Sequence, residues 1–188
     1  DHFVPSYFTL LESIQKKGIA YKEVVAPQIL EWDPELLVQV IWPEKGFLTE
    51  NPNDVSIVLR VVYGDIVYLL AGDVETDVER VLNLYGPELR TTILKVPHHG
   101  SDTSSSLRFL ETIVPRLAII SVGFNNRFDH PKAEILTRYE KMNIPILRTD
   151  RVGTIRTITD GRIVRVIPEL GGPFEIYPYP SEVPEDSL

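Results

Sequence analysis

The sequence predicts a mixed α/β domain, and three observations carry that prediction. Beyond residue 70, short apolar runs of strand length alternate with segments whose apolar residues recur at helical spacing. Gly64-Asp65 separates two β-rich runs, as does Asp160-Gly161 further on, and both pairs are hairpin signals. With 188 residues, the chain is long enough for one domain with a sizeable core.

The elements follow in order. Pro5 opens a stretch with Tyr7, Phe8, Leu10, Leu11 and Ile14 at helical spacing, closed by Lys16, Lys17 and Gly18 in the manner of a helix C-terminus. Residues 21–25, 28–31 and 36–41 read as short strands, with Asp33-Pro34 as the turn between the last two. Residues 55–63 and 66–70 flank Gly64-Asp65, and the second of these strands runs into Gly72-Asp73. From 75 to 84, Val78, Val81 and Leu82 are spaced for a helix, with acids early, where the helix dipole favours them.

Strand 92–96 ends on Pro97-His98-His99-Gly100, helix 104–114 follows, and 117–122 is an apolar strand of the kind found inside a sheet. A polar loop over 123–130 leads to helix 132–142, strand 146–148 and a closing hairpin of 154–159 with 162–167. Residues 1–170 are therefore expected to form the domain. From Gly171 the chain is dense in Gly and Pro and ends acidic, so 171–188 is expected to be an irregular tail.

Composition narrows the chemistry. There is no cysteine, so disulfides, a thiolate nucleophile and a Cys-ligated zinc site are excluded. The compartment, cytoplasmic or exported, stays open, as does the oligomeric state. No apolar run approaches the roughly 18 residues of a membrane span. A net charge of −8 argues against a long-footprint nucleic-acid binder but leaves room for a phosphodiesterase, because bound metal ions can supply positive charge at the scissile phosphate.

Three of the four histidines lie just beyond expected strands, in company with Asp73. A side chain at such a place is held by the sheet while its tip stays open to substrate. A borderline divalent ion such as Zn²⁺ or Mn²⁺ accepts both imidazole nitrogen and carboxylate oxygen. Each segment also has a plainer reading. Asp73 could be a turn-former or helix cap, His98-His99-Gly100-Ser101 an exposed turn, and Asp129 or His130 the cap before a proline in the first helical turn. His2 lies at the chain start, where residues are more often disordered than functional. Thr103, Ser104, Ser105 and Ser106 form a hydroxyl run before a helix, and their expected role is N-capping.

Taken in this order, the segments resemble the metallo-β-lactamase-fold hydrolases, and within them the ComEC-like branch named for the DNA-uptake competence protein. The residues that carry the resemblance are Asn53-Asp54-Val55-Ser56-Ile57-Val58-Leu59, Leu69-Leu70-Ala71-Gly72-Asp73, Leu94-Lys95-Val96-Pro97-His98-His99-Gly100-Ser101, Ser121-Val122-Gly123 and Asn126-Arg127-Phe128-Asp129-His130-Pro131. Arg148-Thr149-Asp150 and Gly153-Thr154-Ile155 continue it, so that the match runs from Asp1 to about Ile167. Phe128 stands where the family has Tyr, and Asp129 where it has Gly. Asp1-His2 look like the last two residues of the family's His-x-His-x-Asp-His segment, with Val4-Pro5 in place of the usual Gly pair.

The resemblance implies a four-layer αββα sandwich, here without its N-terminal portion, and a site for one or two divalent ions, Zn or Mn. Asp73 would be the bridging carboxylate and His130 a ligand. His98 and His99 would supply a further ligand and a supporting imidazole, in either order, and Asp1 and His2 would join the metal set. Asp73, His98 and His99 are the catalytic candidates, and Ser101 and Asn126 the candidates for substrate contact. The implied function is a metal-dependent phosphodiesterase or nuclease, with single-stranded DNA among its substrates. A ComEC-like domain would act outside the cytoplasmic membrane. The alternatives are a small-molecule esterase, lactonase or phosphocholine-type esterase on the same fold, or an inert part-domain.

Two geometric expectations follow. Asp73, His130 and one of His98 and His99 should converge within about 4 to 8 Å, since ligands sit about 2 Å from a metal. A sheet should also leave Val, Ile and Leu edges uncovered.

Overall fold

The computed structural model describes residues 5–179. Helix α1 (Pro5–Lys17) ends at Gly18, whose positive φ of 60° turns the chain away as expected. Strands β1 (Gln28–Leu30), β2 (Leu37–Trp42), β3 (Val58–Tyr63) and β4 (Ile66–Leu70) pair antiparallel in sequence order. The β-rich run at 21–25 makes no strand. Tyr21 is 81% exposed, and backbone bridging begins only at Ala26, with a single bridge to Glu44.

From β4 onward the sheet changes character. β5 (Ile93–Lys95), β6 (Leu117–Ile120) and β7 (Ile146–Arg148) join parallel to β4 and to each other, completing a seven-stranded mixed sheet. The crossovers are helices α2 (Thr76–Leu82), α3 (Leu107–Ile113) and α4 (Ala133–Lys141), which share one face of the sheet. Spacing explains that face. Val78 and Leu82, Phe109, Leu110 and Ile113, and Ile135 and Tyr139 are spaced three and four apart, and all are buried with Leu69, Leu94 and Ile120.

The strand residues an odd number of positions away point to the other face. There Ile66, Ile93 and Leu117 bury against Val164 and Val166 of a second sheet. That sheet comprises β8 (Ile155–Thr159), β9 (Val164–Pro168) and β10 (Phe174–Ile176), all antiparallel. The two hairpin tips touch: Asp65 donates its backbone N–H to the Gly161 carbonyl at 2.7 Å, and a Cβ at Gly64 would strike that same carbonyl. β10 corrects the expectation of an irregular tail from Gly171, because Phe174, Glu175 and Ile176 pair with Val166, Arg165 and Val164.

Residues 5–179 thus form three layers, of helices, large sheet and small sheet, where a four-layer sandwich was expected. α1 is not a fourth layer, since it buries no residue and leaves Tyr7, Phe8, Leu10 and Leu11 exposed. At the sheet edges, Ile29 of β1 and Ile158 of β8 are exposed as well.

β7 runs directly into a short helix, α5 (Thr149–Val152), where Arg148 grips Asp150 with two bonds, Nε to Oδ1 at 3.0 Å and Nη2 to Oδ2 at 2.7 Å. That hydrogen bonding holds the Asp150 carboxyl below the usual carboxylate range. A depressed native pKa means the pair stabilises fully above the ordinary aspartate range and loses its contribution as pH falls through the native value. Asp150→Asn is therefore expected to flatten the acid limb of stability below about pH 4. Urea midpoints taken across that range in both proteins check it.

Candidate functional site

Because β4, β5, β6 and β7 are parallel, their carboxyl ends lie on one edge of the sheet, where open α/β sheets bind ligands. Gly72-Asp73 leaves β4, Pro97-His98-His99-Gly100 leaves β5, Ser121-Val122-Gly123 leaves β6 and Thr149 leaves β7. Sequence positions 73, 99, 121 and 149 become neighbours for that reason.

The chain is bent hard at this edge. His98, His99 and Gly100 follow one another with φ of 45°, 53° and 83°, all left-handed. For the two histidines this conformation costs about 1–2 kcal/mol each, a strain typical of functional segments. The turn is closed by Ser101 N–H to the His98 carbonyl at 2.9 Å, and tied to β4 by His98 N–H to the Gly72 carbonyl at 3.1 Å. Gly100 has no room for a side chain, since a Cβ would lie 2.5 Å from Cβ of Pro131.

His99 is oriented from both sides. Its Nδ1 lies 2.5 Å from the Ser121 carbonyl, which can only accept, so Nδ1 carries the hydrogen. Nε2 is then the nitrogen turned to Asp73, 3.4 Å from Oδ1. The Asp73 carboxylate is not a helix cap; Glu75 occupies the N-cap position of α2.

His98 faces elsewhere. Its Nδ1 lies 3.2 Å from Oε1 of Glu75 and 3.4 Å from the Thr103 hydroxyl, and Glu75 is itself fixed by Asn53 Nδ2 at 2.9 Å. The His98 and His130 rings approach edge to face with centroids 5.7 Å apart.

His130 is held through its backbone. Its N–H donates to Asn126 Oδ1 at 3.0 Å and its carbonyl accepts from Asn126 Nδ2 at 2.7 Å, while Phe128 stacks against the ring at 5.9 Å. The family's Gly position, here Asp129, has φ of 56°, a region Asp tolerates better than most residues. The plainer reading of this segment fails, because α4 starts at Ala133 after Lys132 and Pro131 is not in its first turn. Burial, then His98, Lys132 and His99, push the His130 imidazole down from its usual value, against a smaller opposing effect of Asp102. The shift favours the neutral imidazole, the state in which it binds metals.

His99, Asn126, Phe128, His130 and Thr149 line a cleft of about 440 Å³, a volume suited to a small ligand or one end of a longer one. Ser101 does not reach it. Its side chain is buried in its own turn, within 3.2 Å of Asp102 Oδ1 and 3.1 Å of the Thr103 hydroxyl. Ser105 departs from expectation as well. Ser106 is the cap of α3, accepting from Phe109 N–H at 3.3 Å, whereas the Ser105 hydroxyl is buried against that of Tyr139 at 3.1 Å.

Glu75, Asn53 and Lys95 also belong to this edge; Asn53 and Lys95 lie in segments that carry the resemblance but were not site candidates, and no local pattern marks Glu75. Lys95 donates Nζ to the Val96 carbonyl at 3.0 Å; burial pushes its ammonium below the usual lysine range, and the Asp73 carboxylate pulls it back up. The only cue for Asn53 is its place at the head of the segment that leads into β3.

The donor set suits a divalent cation in two respects. An acceptor nitrogen of His99 faces an acceptor oxygen of Asp73, an arrangement that a cation between them would satisfy. His130 Nδ1 is buried without a partner. Among residues 5–179, no three His, Asp or Glu side chains stand close enough to hold an ion by themselves. Asp1 and His2 lie outside the described residues.

No protein-family model matches the chain. It is 34% identical over 170 residues to ComE operon protein 3 of Bacillus subtilis (strain 168), an alignment covering 90% of this chain and 20% of that protein. Competence protein ComA of Neisseria gonorrhoeae is 40% identical over 107 residues, 56% of this chain and 16% of that one. Recombination protein 2 of Haemophilus influenzae is 31% identical over 119 residues, 63% and 15% of the two chains. A solved structure from Parabacteroides distasonis, of a protein proposed to be a metal-dependent hydrolase, overlaps 74% of this chain and 61% of its own at a TM-score of 0.46 and 11% identity, too slight a likeness to bear on fold or activity.

Fold and cleft together define a mixed α/β protein with histidines and carboxylates gathered at the carboxyl ends of parallel strands. The chain is homologous to the ComEC/ComA competence proteins, over a segment that makes up about a fifth or less of their length.

Proposed function

We propose that this chain is the hydrolytic part of a metal-dependent phosphodiesterase of the ComEC-like type. The observation that carries the reading is Asp73 Oδ1 facing His99 Nε2 at 3.4 Å, with the unpartnered Nδ1 of His130 bordering the same cleft. Asp73 and His99 would share a Zn²⁺ or Mn²⁺ ion, and Asp1, His2 and His130 would add ligands for one or two ions. When bound, the ion supplies Lewis acidity toward phosphoryl oxygen and toward water.

The chain's own residues do the rest. The Ser121 carbonyl keeps His99 in the tautomer whose Nε2 can ligate. Glu75 holds His98 by Nδ1; with both ring nitrogens protonated, His98 Nε2–H would donate the proton to the leaving oxygen and leave a neutral imidazole. Asn126 fixes the loop that presents His130.

No helix among the described residues is long and apolar enough to cross a membrane. With a net charge of −8 the chain offers no track for a long duplex, which favours a short or single-stranded substrate. Hydrolysis of bis-p-nitrophenyl phosphate beside p-nitrophenyl acetate, with Mn²⁺ or Zn²⁺ and then with chelator, is the test. The diester should be cleaved and the activity lost on chelation. Preference for the carboxylic ester would instead support the esterase reading, and no metal-dependent turnover of either would mark an inert part-domain.

A further inference from the structure

We propose that the loop from Phe124 to His130 is a stacking platform for an unpaired nucleobase, placed so that the adjoining phosphodiester of a single strand enters the His99 cleft. The proposal rests on the phosphodiesterase reading and adds what binds beside the cut.

Two aromatic rings stand out on this loop. Phe124 is 77% exposed and Phe128 58% exposed, four residues apart, and Phe128 borders the cleft itself. Single exposed apolar residues need no explanation, but a ring at the lip of the cleft lined by His99 and His130, with a second exposed ring on the same loop, is a different matter. The rest of the stack is already present. Phe128 lies nearly parallel to the His130 imidazole, at 16°, and the flat Arg127 guanidinium lies 4.7 Å from the Phe128 ring centroid. Aromatic rings and guanidinium planes are the surfaces on which proteins stack splayed-out bases.

Charge favours a nucleotide over an uncharged aromatic ligand. Arg127 and Lys132 flank the platform, and Lys132 is anchored to it by donating Nζ to the Phe128 carbonyl at 3.0 Å. Asp129 is the loop's one acid. Floor space exists beside the rings, since a Cβ at Gly123 would meet nothing within 4 Å. A base inside a duplex is stacked on its neighbours and cannot reach Phe128, so the platform selects single strands or frayed ends.

The test uses two fluorescein-labelled eight-residue strands of equal charge, oligo-dT and its fully abasic counterpart, with Ca²⁺ in place of the catalytic ion. Fluorescence anisotropy should show oligo-dT binding roughly 10-fold or more tightly than the abasic strand, as stacking of one or two bases provides. Phe128→Ala and Phe124→Ala should each shrink that gap, while Phe128→Tyr keeps it; both sites are exposed, and unchanged circular dichroism checks the fold. Equal binding of the two strands, or a gap that survives Phe124→Ala and Phe128→Ala together, overturns the platform. Metal-dependent hydrolysis of bis-p-nitrophenyl phosphate is measured in parallel. Base preference without hydrolysis would sink the catalytic reading and leave the platform standing; hydrolysis without base preference would do the reverse.

Discussion

Asp73→Ala is expected to remove Mn²⁺- or Zn²⁺-dependent diester hydrolysis, by about 1,000-fold or more. Losing a partner that merely orients a metal ligand costs about 10–100-fold, and Asp73 would be a ligand itself. Among the described residues its carboxylate is the one paired with His99 Nε2, at 3.4 Å, and Glu75, two residues on, is engaged by His98 and Asn53. Steady-state kinetics with bis-p-nitrophenyl phosphate and a metal titration by calorimetry give the two readouts. Affinity and turnover should fall together. Thr137→Ala, on the exposed side of α4, is the control that should leave both unchanged. Turnover that survives both Asp73→Ala and chelation would rule out the mechanism.

Glu79→Ala is expected to be the most damaging change to stability, at about 2–5 kcal/mol, because it strands two buried backbone donors at about 1–3 kcal/mol each. The Glu79 side chain is fully buried and accepts from Ser105 N–H at 2.5 Å and Ser106 N–H at 2.8 Å. It thereby anchors the segment after the histidine turn, which Thr76 also grips by donating its hydroxyl to the Thr103 carbonyl at 2.7 Å. Arg138 of α4 donates to the Ser105 carbonyl at 2.5 Å and closes the same clamp.

Urea unfolding measures the loss, and for a chain of this size the melting temperature should drop by about 5–15 °C. Burial pushes the Glu79 carboxyl above the usual range, outweighing the hydrogen bonds that favour its charge. A raised native pKa contributes stability below the ordinary carboxylate value and loses it as pH rises through the native one. The native protein should therefore lose stability above about pH 4, and Glu79→Gln should flatten that decline, opposite in sign to Asp150→Asn.

The strands from β1 to β9 and helices α1 to α4 were legible in the sequence to within a few residues, because each rests on a local signal; the one-turn helix α5 was not. Apolar alternation, helical spacing, Gly64-Asp65 and Asp160-Gly161 act over a few positions and need no distant partner. The placement of Asp73, His98, His99 and His130 beyond strand ends was legible for the same reason. Residues 21–25 show the limit, since a strand-like run there pairs with no strand among the described residues. Phe174–Ile176 show its converse, a strand made only by the free edge of β9.

What the tertiary structure alone decided is which histidine meets which carboxylate. His99 turns to Asp73, 26 positions back, and His98 to Glu75, 23 positions back, because β5 lies parallel to β4 and the left-handed turn points successive imidazoles in different directions. Ser101 and Ser105 face inward for the same kind of reason, their neighbours being brought by the turn itself and by α4. Local propensity acts along the chain, whereas a site is assembled across it, by the order of strands in a sheet.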